Sequence, residues 1–316
     1  MKKFILYISI LLAPLVTLAN KSDDLSSSLD KYHYIISQWI LDKSDLVDRY
    51  LSDINTTTEN NTSIDISIEV GKFTKSNSFY HNVDFALHLD LPRLKNKLKL
   101  TLQKVSKSST LLGKNSEKLL SKSSDSDNEG YNLALTYSPW AKKRFFMTFD
   151  SGIRFDNYFF EPYVGVLSGY KIKQKDNVEA NIKNSLRFYL AGEIKDLVLG
   201  QYFYKYKEDV VVGWLGSFIY SSEKNTQDLS SEVFGLKLLN KDSFFRLGFI
   251  SNFHLKHFKN PKKDNFELYA KYHNKLLNKE WLYYEVTPSL NWKKEHNFKP
   301  SVGVKLKIGA TFGARN

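Results

Sequence analysis

Apolar and polar residues alternate with a period of two along most of the chain from Ser63 onward. Because successive side chains of a β-strand point to opposite faces, this pattern predicts strands with one apolar and one polar face. The first segment places Ile64, Ile66, Ile68 and Val70 on the apolar face, and Asp65, Ser67, Glu69 and Gly71 on the polar face. The last segment repeats the pattern with Val302, Val304, Leu306, Ile308 and Phe312.

The alternation recurs in about fourteen segments, which we predict as strands. They lie near 63–72, 80–91, 95–105, 130–138, 143–156, 158–172, 177–190, 193–207, 209–221, 228–239, 242–256, 264–274, 280–292 and 299–312. The segments near 193–221 alternate poorly, so about twelve strands is an alternative. The longest connection, 106–129, follows the third strand, as expected if the longer loops follow odd-numbered strands.

The segments favour a membrane barrel over a soluble sheet protein. Most run for about ten to fifteen residues, longer than the soluble norm of about five or six and enough to cross a bilayer at a tilt. Their polar faces carry charges at mid-strand, where a soluble barrel has its apolar core: Asp150, Lys183, Glu267 and Glu285. We therefore predict an all-β membrane fold, an antiparallel transmembrane β-barrel over 63–316 that is apolar outside and polar inside.

Residues 22–55 follow a helical period instead. The apolar positions recur at spacings of three and four and resume after an interruption at Lys43: Leu25, Leu29, Tyr32, Ile36, Trp39, Leu46, Tyr50 and Ile54. This predicts one amphipathic helix, or two, within a periplasmic helix-and-linker region over 20–62. We favour a helix that packs on or caps the inner mouth of the barrel. A lumen plug or a coiled-coil segment are alternatives, but the short, Lys-broken run does not favour a coiled coil.

The first residues predict a cleavable export signal over 1–19. Lys2 and Lys3 precede the short apolar run 4–16, and Thr17-Leu18-Ala19 supplies the small residues of a cleavage site. A retained anchor is the alternative, but the run is shorter than the roughly 20 residues that cross a bilayer. Export together with a membrane barrel predicts location in the cell outer membrane.

Composition and charge narrow the expected partners. The aromatic content of 15% suits the interfacial girdles of a membrane barrel. The formal net charge is +12, but Lys and Arg are scattered along the chain, which argues against a nucleic-acid partner. We expect outer-membrane lipid, lipopolysaccharide and the barrel assembly machinery as partners. A basic outer loop with Lys256, Lys259, Lys262 and Lys263 can meet lipopolysaccharide phosphates, although a merely solvated loop is the simpler interpretation.

The predicted barrel places charged side chains of both signs in its lumen. The lumen-facing candidates are Asp65, Glu69, Asp84, Asp90, Lys97, Lys99, Arg144, Asp150, Arg154, Lys183, Arg187, Arg246, Glu267, Lys271, Glu285, Lys305 and Lys307. We expect cross-strand ion pairs between Asp65 and Glu69 on one side and Lys305 and Lys307 on the other, and between Asp84 and Asp90 and Lys97 and Lys99. The lumen is then either a charged pore or an interior braced by salt bridges.

The expected function is non-enzymatic, either a channel for small solutes or a structural envelope protein. The alternative is a barrel hydrolase acting on lipid or peptide at the outer rim, with His88 paired to Asp84 or Asp90. His254 and His273 also project inward by parity. We expect no metal site and no cofactor, because the chain has no cysteine, its histidines are dispersed and it lacks Gly-rich phosphate loops.

Three stretches resemble an uncharacterised group of proteobacterial outer-membrane proteins. They are Asp48-Arg49-Tyr50-Leu51-Ser52-Asp53, Leu89-Asp90-Leu91-Pro92-Arg93-Leu94 and Trp281-Leu282-Tyr283-Tyr284-Glu285-Val286-Thr287-Pro288. The resemblance implies a barrel with a helical N-terminal extension and transfers no catalytic or binding residue. One departure from the usual outer-membrane pattern is that Phe312 is followed by Gly313-Ala314-Arg315-Asn316, whereas such barrels commonly end on an aromatic residue.

Overall fold

The computed structural model describes most of the predicted barrel and the helix before it. The described residues are 22–51, 60–74, 79–91, 98–105, 130–141, 144–156, 159–175, 177–223, 225–256 and 259–313. The predicted signal 1–19, the connection 106–129 and the candidate Lys97 lie outside them.

Fourteen antiparallel strands form a closed barrel in which each strand pairs with the next and β14 pairs with β1. Closure leaves no unpaired sheet edge within the bilayer. The strands are β1 (Ser63–Phe73), β2 (Tyr80–Asp90), β3 (Leu98–Val105), β4 (Gly130–Ala141), β5 (Phe145–Asp156), β6 (Phe159–Lys175), β7 (Val178–Tyr189), β8 (Ile194–Lys207), β9 (Val210–Ser221), β10 (Thr226–Leu238), β11 (Ser243–Lys256), β12 (Lys259–Lys275), β13 (Leu282–Lys293) and β14 (Pro300–Gly313). A 3-10 turn, Lys294–His296, joins the last two.

The barrel is apolar outside and polar inside, as predicted. Outward positions such as Ile68, Val83 and Ile182 are exposed, which places them against lipid. Inward positions such as Asn132 and Ser185 are polar and buried. The predicted all-β membrane fold is therefore confirmed.

The poorly alternating region near 193–221 forms β8 and β9, so the count is fourteen. Its alternation is weak because apolar side chains also point inward there. Leu197 and Leu199 are buried together and pack against Ile219. Because this small cluster places apolar residues on the lumen side, the sequence of β8 and β9 does not alternate clearly between apolar and polar residues.

The main difference from the predicted boundaries lies in the hairpin of β11 and β12. The predicted outer loop over 257–263 is mostly strand, because β12 begins at Lys259. The two strands keep pairing through register shifts after Asn252 and His254, as far as the Lys256–Lys259 pair. Lys259, Lys262 and Lys263 therefore belong to a strand and not to the basic loop that the sequence suggested.

One helix, α1 (Ser22–Leu51), precedes the barrel and continues through Lys43 without a break. Because the predicted connection 106–129 follows β3 and longer loops are expected outside the cell, we predict that the opposite end of the barrel is the periplasmic end. α1 docks at this periplasmic end, as its contacts with the end of β14 show. No described helix is long and apolar enough to cross a bilayer.

α1 docks through small and polar side chains. The Ser37 hydroxyl accepts a hydrogen bond from the Gly313 amide at 3.0 Å, and the hydroxyls of Ser44 and Thr62 lie 2.6 Å apart. Ser37, Ser44 and Asp48 are buried, and Ile40 lies among them at 4% exposed. Five members of the predicted apolar stripe, in contrast, are exposed: Tyr32, Ile36, Trp39, Leu46 and Tyr50.

An ion pair fixes the N-terminal part of α1. The Asp30 carboxylate accepts hydrogen bonds from the Lys279 ammonium and, at 3.2 Å, from the Trp281 indole. The bond from Lys279, helped by that from Trp281, holds the pKa of Asp30 below its ordinary value. A lowered pKa in the docked state stabilises docking above the undocked pKa, and this contribution disappears as the pH falls through the docked value.

We therefore expect this part of α1 to loosen in acid. A spin label on Lys31→Cys, in a chain that has no other cysteine, should report low mobility at neutral pH and higher mobility as Asp30 is protonated. Asp30→Asn should make the label equally mobile at every pH. A mobility that changes with pH in the Asp30→Asn variant, as it does in the parent, would show that another group controls docking.

Candidate functional site in the barrel lumen

The strand register places most of the predicted candidates on the inward face. Four are buried: Asp90, Asp150, Arg187 and Arg246. Ten are partly exposed: Asp65, Glu69, Asp84, Arg154, Lys183, Glu267, Lys271, Glu285, Lys305 and Lys307. Lys99 is exposed near the periplasmic end of β3. Arg144 was predicted to lie in a strand, but β5 begins one residue later, so Arg144 occupies the exposed periplasmic turn before it.

The strand register places some of the expected ion-pair partners directly opposite each other. Glu69 lies directly opposite Lys307, and Asp90 directly opposite Lys99. Asp65 instead lies opposite Thr311, whose hydroxyl donates to its carboxylate at 2.6 Å. The ion pairs with the most deeply buried side chains lie elsewhere in the barrel.

The first buried pair joins Asp150 on β5 to Arg187 on β7, two strands away. The Arg187 Nε and Nη2 atoms donate to Asp150 Oδ2 at 2.9 and 2.8 Å, and the side chains are 1% and 4% exposed. The guanidinium also lies over the Tyr163 ring, 4.4 Å from its centroid. The mutual attraction and the ring contact offset part of the cost of desolvating the two charges, so removal of one partner alone is expected to be costly.

Gly165 on β6 makes room for this pair. A Cβ atom at Gly165 would lie 2.4 Å from Asp150 Oδ1 and 2.9 Å from Arg187 Cγ. The arginine therefore reaches its partner across a strand position that has no side chain.

Replacing Gly165 by alanine is expected to lower the free energy of unfolding by about 1–3 kcal/mol, the usual effect of overpacking. Guanidinium unfolding of the chain from lipid vesicles measures it. Gly235→Ala is the matched control, because a Cβ atom there meets nothing within 4 Å. Equal stabilities of the two variants would contradict the role assigned to Gly165.

The same network continues toward the extracellular end. Arg154 pairs with Glu161 on β6 and, at 3.5 Å, with Glu193 in the β7–β8 turn. Glu193 also lies 3.3 Å from the Lys195 ammonium and accepts a 2.8 Å hydrogen bond from Ser221. Sequence reasoning missed Glu193 and Lys195 because they belong to the turn and to the segment that alternates poorly.

A second buried cluster lies on β10–β12. Arg246 Nη2 and the Tyr269 hydroxyl both donate to Glu232 Oε1. The side chains of Glu232 and Arg246 are 0% and 3% exposed, and the guanidinium lies 3.5 Å from the centroid of the Phe234 ring. Glu232 was not among the predicted candidates, although its inward parity on β10 was available as a signal. We call the two clusters the braced wall.

The remaining part of the lumen is built differently. On β12 and β13, Glu285 lies 3.2 Å from both Lys271 and His273, and these side chains are 14%, 17% and 22% exposed. Glu285 and Glu69 both lie opposite Lys307 on β14. We call a set of partly exposed inward positions of β12–β14, β1 and β2 the wet wall; they are Glu267, Lys271, His273, Glu285, Lys305, Lys307, Asp65, Glu69, Asp84 and His88.

The inward histidines differ in their surroundings. His254 on β11 lies directly opposite Asp228 on β10, and its Nδ1 atom is 2.7 Å from the carboxylate. Both side chains are well exposed, near the extracellular end of the barrel. The neighbouring Ser230 hydroxyl donates to Asn252. His88 is partly exposed on β2, in the wet wall.

The barrel is similar to solved structures of outer-membrane proteins. A bacterial polysaccharide outer membrane secretin matches with a TM-score of 0.50 and 12% identity, over 82% of this chain and 100% of that chain. A loop-deletion mutant of OmpT, an outer membrane protein of Vibrio cholerae, matches with a TM-score of 0.50 and 8% identity, over 80% and 99%. At these identities the likeness shows the fold.

No protein-family model and no curated protein matches the chain. Membership of an uncharacterised proteobacterial group therefore stays a prediction. The closed barrel and its structural neighbours together show that the chain has the fold of an outer-membrane β-barrel.

Proposed function

We propose that the protein is a channel for small polar solutes across the outer membrane. The observation that carries the proposal is the difference between the two walls of the lumen. Arg187, Asp150, Arg246 and Glu232 are 0–4% exposed in their ion pairs, whereas charged side chains of the wet wall keep contact with solvent. A hydrated, charged strip along a rigid wall is what a pore for polar solutes requires.

Charges of both signs line the proposed path. Glu69 and Glu285 lie opposite Lys307, and Lys271 lies beside Glu285. Neighbouring opposite charges cancel much of each other's field, so we expect weak ion selectivity. We therefore expect small polar solutes to pass, without strong preference for cations or anions.

Single-channel conductance of the refolded chain in planar bilayers tests the proposal. Discrete openings would support it. A heat-modifiable barrel that inserts but conducts no current would contradict it and would favour a structural envelope protein braced by its ion pairs.

Charge reversal in the wet wall should change selectivity. The double variant Lys305→Glu, Lys307→Glu removes two lumen cations and adds two anions beside Glu69, so the reversal potential in a salt gradient should shift toward cation preference. Lys241→Glu reverses one lysine, half the charge change of the double variant, in the exposed periplasmic turn between β10 and β11 and is the control outside the lumen. Equal shifts in both variants would place the current path elsewhere.

A hydrolase acting at the outer rim is the second candidate, supported by the exposed His254–Asp228 pair. An imidazole oriented by a carboxylate is one part of a hydrolytic site, but the nearby Ser230 hydroxyl is directed to Asn252. Lipid and peptide hydrolysis assays of the parent, His254→Ala and His88→Ala test it. Activity that His254→Ala abolishes and His88→Ala leaves intact would support this candidate over the channel.

A further inference from the structure

α1 carries an apolar face that the barrel does not cover. Its members are Tyr32, Ile35, Ile36, Trp39, Leu46 and Tyr50, and their exposed fractions run from 41% for Ile36 to 89% for Tyr50. We call this set the free apolar face. An exposed apolar stripe of this length on a helix marks a surface that a partner or a membrane covers.

The contacts of α1 show that it follows the periplasmic rim of the barrel. Asp30 binds Lys279 and Trp281 just before β13, and the His33 Nε2 atom lies 2.9 Å from the Thr311 carbonyl on β14. Farther along the helix, Ser44 contacts Thr62 just before β1. The helix therefore passes strand after strand along the rim, close to the plane in which the membrane surface lies.

The helix has three faces, and their order matters. The docking residues His33, Ser37, Ile40 and Ser44 recur at spacings of three and four, so they form one stripe. Residues one position earlier lie about 100° to one side and include half of the free apolar face, Tyr32, Ile36 and Trp39, together with Lys43. Residues one position later lie about 100° to the other side. They include Tyr34 and the polar side chains Gln38 and Asp45, and Arg49 follows the buried Asp48 in the same way.

A helix docked on a barrel rim has one flank toward the lipid and the other toward water. The arrangement of α1, apolar on one flank and polar on the other, matches these two surroundings. Asp45 and Arg49 on the polar flank form an exposed 2.8 Å ion pair, as expected of a solvated surface.

Aromatic contacts join the docking stripe to the lipid-facing surface of the barrel. The His33 ring stacks on Trp281 at 4.3 Å and on Phe312 at 5.3 Å between centroids. Phe312 shares the outward face of β14 with Ile308, which is 39% exposed to the bilayer. Tyr32 and Ile36 of the free apolar face lie next to His33 on the helix. The free apolar face therefore adjoins the lipid-facing surface of β14.

We propose that α1 is an interfacial membrane helix whose free apolar face lies in the inner, phospholipid leaflet of the outer membrane. Trp39, Tyr32 and Tyr50 are residues that prefer the boundary between headgroups and acyl chains. A helix with this division of faces binds the interface plane with its apolar side buried roughly 5–10 Å below the headgroups. The proposal concerns membrane attachment and does not depend on channel activity.

The absence of cysteine from the sequence makes the test direct. Single substitutions Trp39→Cys and Ile35→Cys on the free apolar face, and Gln38→Cys and Asp45→Cys on the polar flank, are labelled with an environment-sensitive fluorophore. The refolded full chain is then placed in phospholipid vesicles with or without bromine on the acyl chains. Heat modifiability confirms that each variant has formed the barrel.

We expect bromolipid to reduce emission at positions 35 and 39 by about twofold and to leave positions 38 and 45 almost unchanged, as the depth of an interfacial helix requires. Equal quenching at all four positions, or none at any, would overturn the proposal. Blue-shifted emission at 35 and 39 without bromolipid quenching would also overturn it, because a second copy or another segment of the chain would then cover the face.

Discussion

Replacing Arg187 by alanine is expected to lower the free energy of unfolding by about 3–5 kcal/mol. The variant leaves the Asp150 carboxylate without the two hydrogen bonds of 2.8 and 2.9 Å that it accepts from Arg187. A charge that is 4% exposed and has lost its countercharge is poorly solvated, and the Tyr163 ring also loses the guanidinium that covers it. Guanidinium unfolding from vesicles, followed by tryptophan fluorescence, measures the loss.

Two further variants separate charge from packing. Lys183→Ala removes a cation from the same face of β7 at a partly exposed position, and we expect a loss of less than about 1 kcal/mol. The double variant Asp150→Leu, Arg187→Met replaces the pair by apolar side chains and should recover most of the stability. If it is as unstable as Arg187→Ala, loss of packing and not an orphaned charge is the cause.

The strands were predictable because the two faces of a membrane barrel face different solvents. Lipid selects apolar side chains at every second position and the lumen selects polar ones, so the period of two survives along β1 and β14 without knowledge of the neighbouring strands. The signal fails at Leu197 and Leu199, where the inward face is itself apolar. The alternation also placed the start of β12 near residue 264 instead of Lys259, because the lysine-rich segment before it resembles a loop.

The ion pairs were less predictable than the strands. Parity correctly placed Asp150 and Arg187 on the inward face, but their pairing depends on the register of three strands and on an empty position at Gly165. Which residues lie directly opposite each other, such as Glu69 and Lys307, depends on only two adjacent strands and was the simpler case.

The helix shows a different limit of sequence reasoning. The spacing of apolar residues by three and four correctly predicted α1. This spacing does not indicate which surface covers the apolar stripe. The barrel rim offers backbone groups at the strand ends, such as the Thr311 carbonyl and the Gly313 amide, and these bind the polar residues His33 and Ser37. The apolar stripe is thus left for the membrane in our proposal.

Glu232→Ala is the second variant for which we expect a large loss, again about 3–5 kcal/mol. Glu232 is 0% exposed and is the acceptor for both Arg246 and the Tyr269 hydroxyl. Its removal leaves the Arg246 guanidinium buried against Phe234 without a countercharge. The free energy of unfolding from vesicles is again the measurement.

Combining the two variants tests whether the braced wall acts as one unit. The Asp150–Arg187 and Glu232–Arg246 clusters share no residue, so the losses from Arg187→Ala and Glu232→Ala should add within about 0.5 kcal/mol. The double variant Glu232→Leu, Arg246→Met replaces the second pair by apolar side chains and should recover most of the loss from Glu232→Ala. Glu267→Ala removes a partly exposed carboxylate from the inward face and should change the free energy of unfolding by less than about 1 kcal/mol. Strong non-additivity would mean that the two clusters are coupled through the lumen, and that the braced wall is a single continuous network.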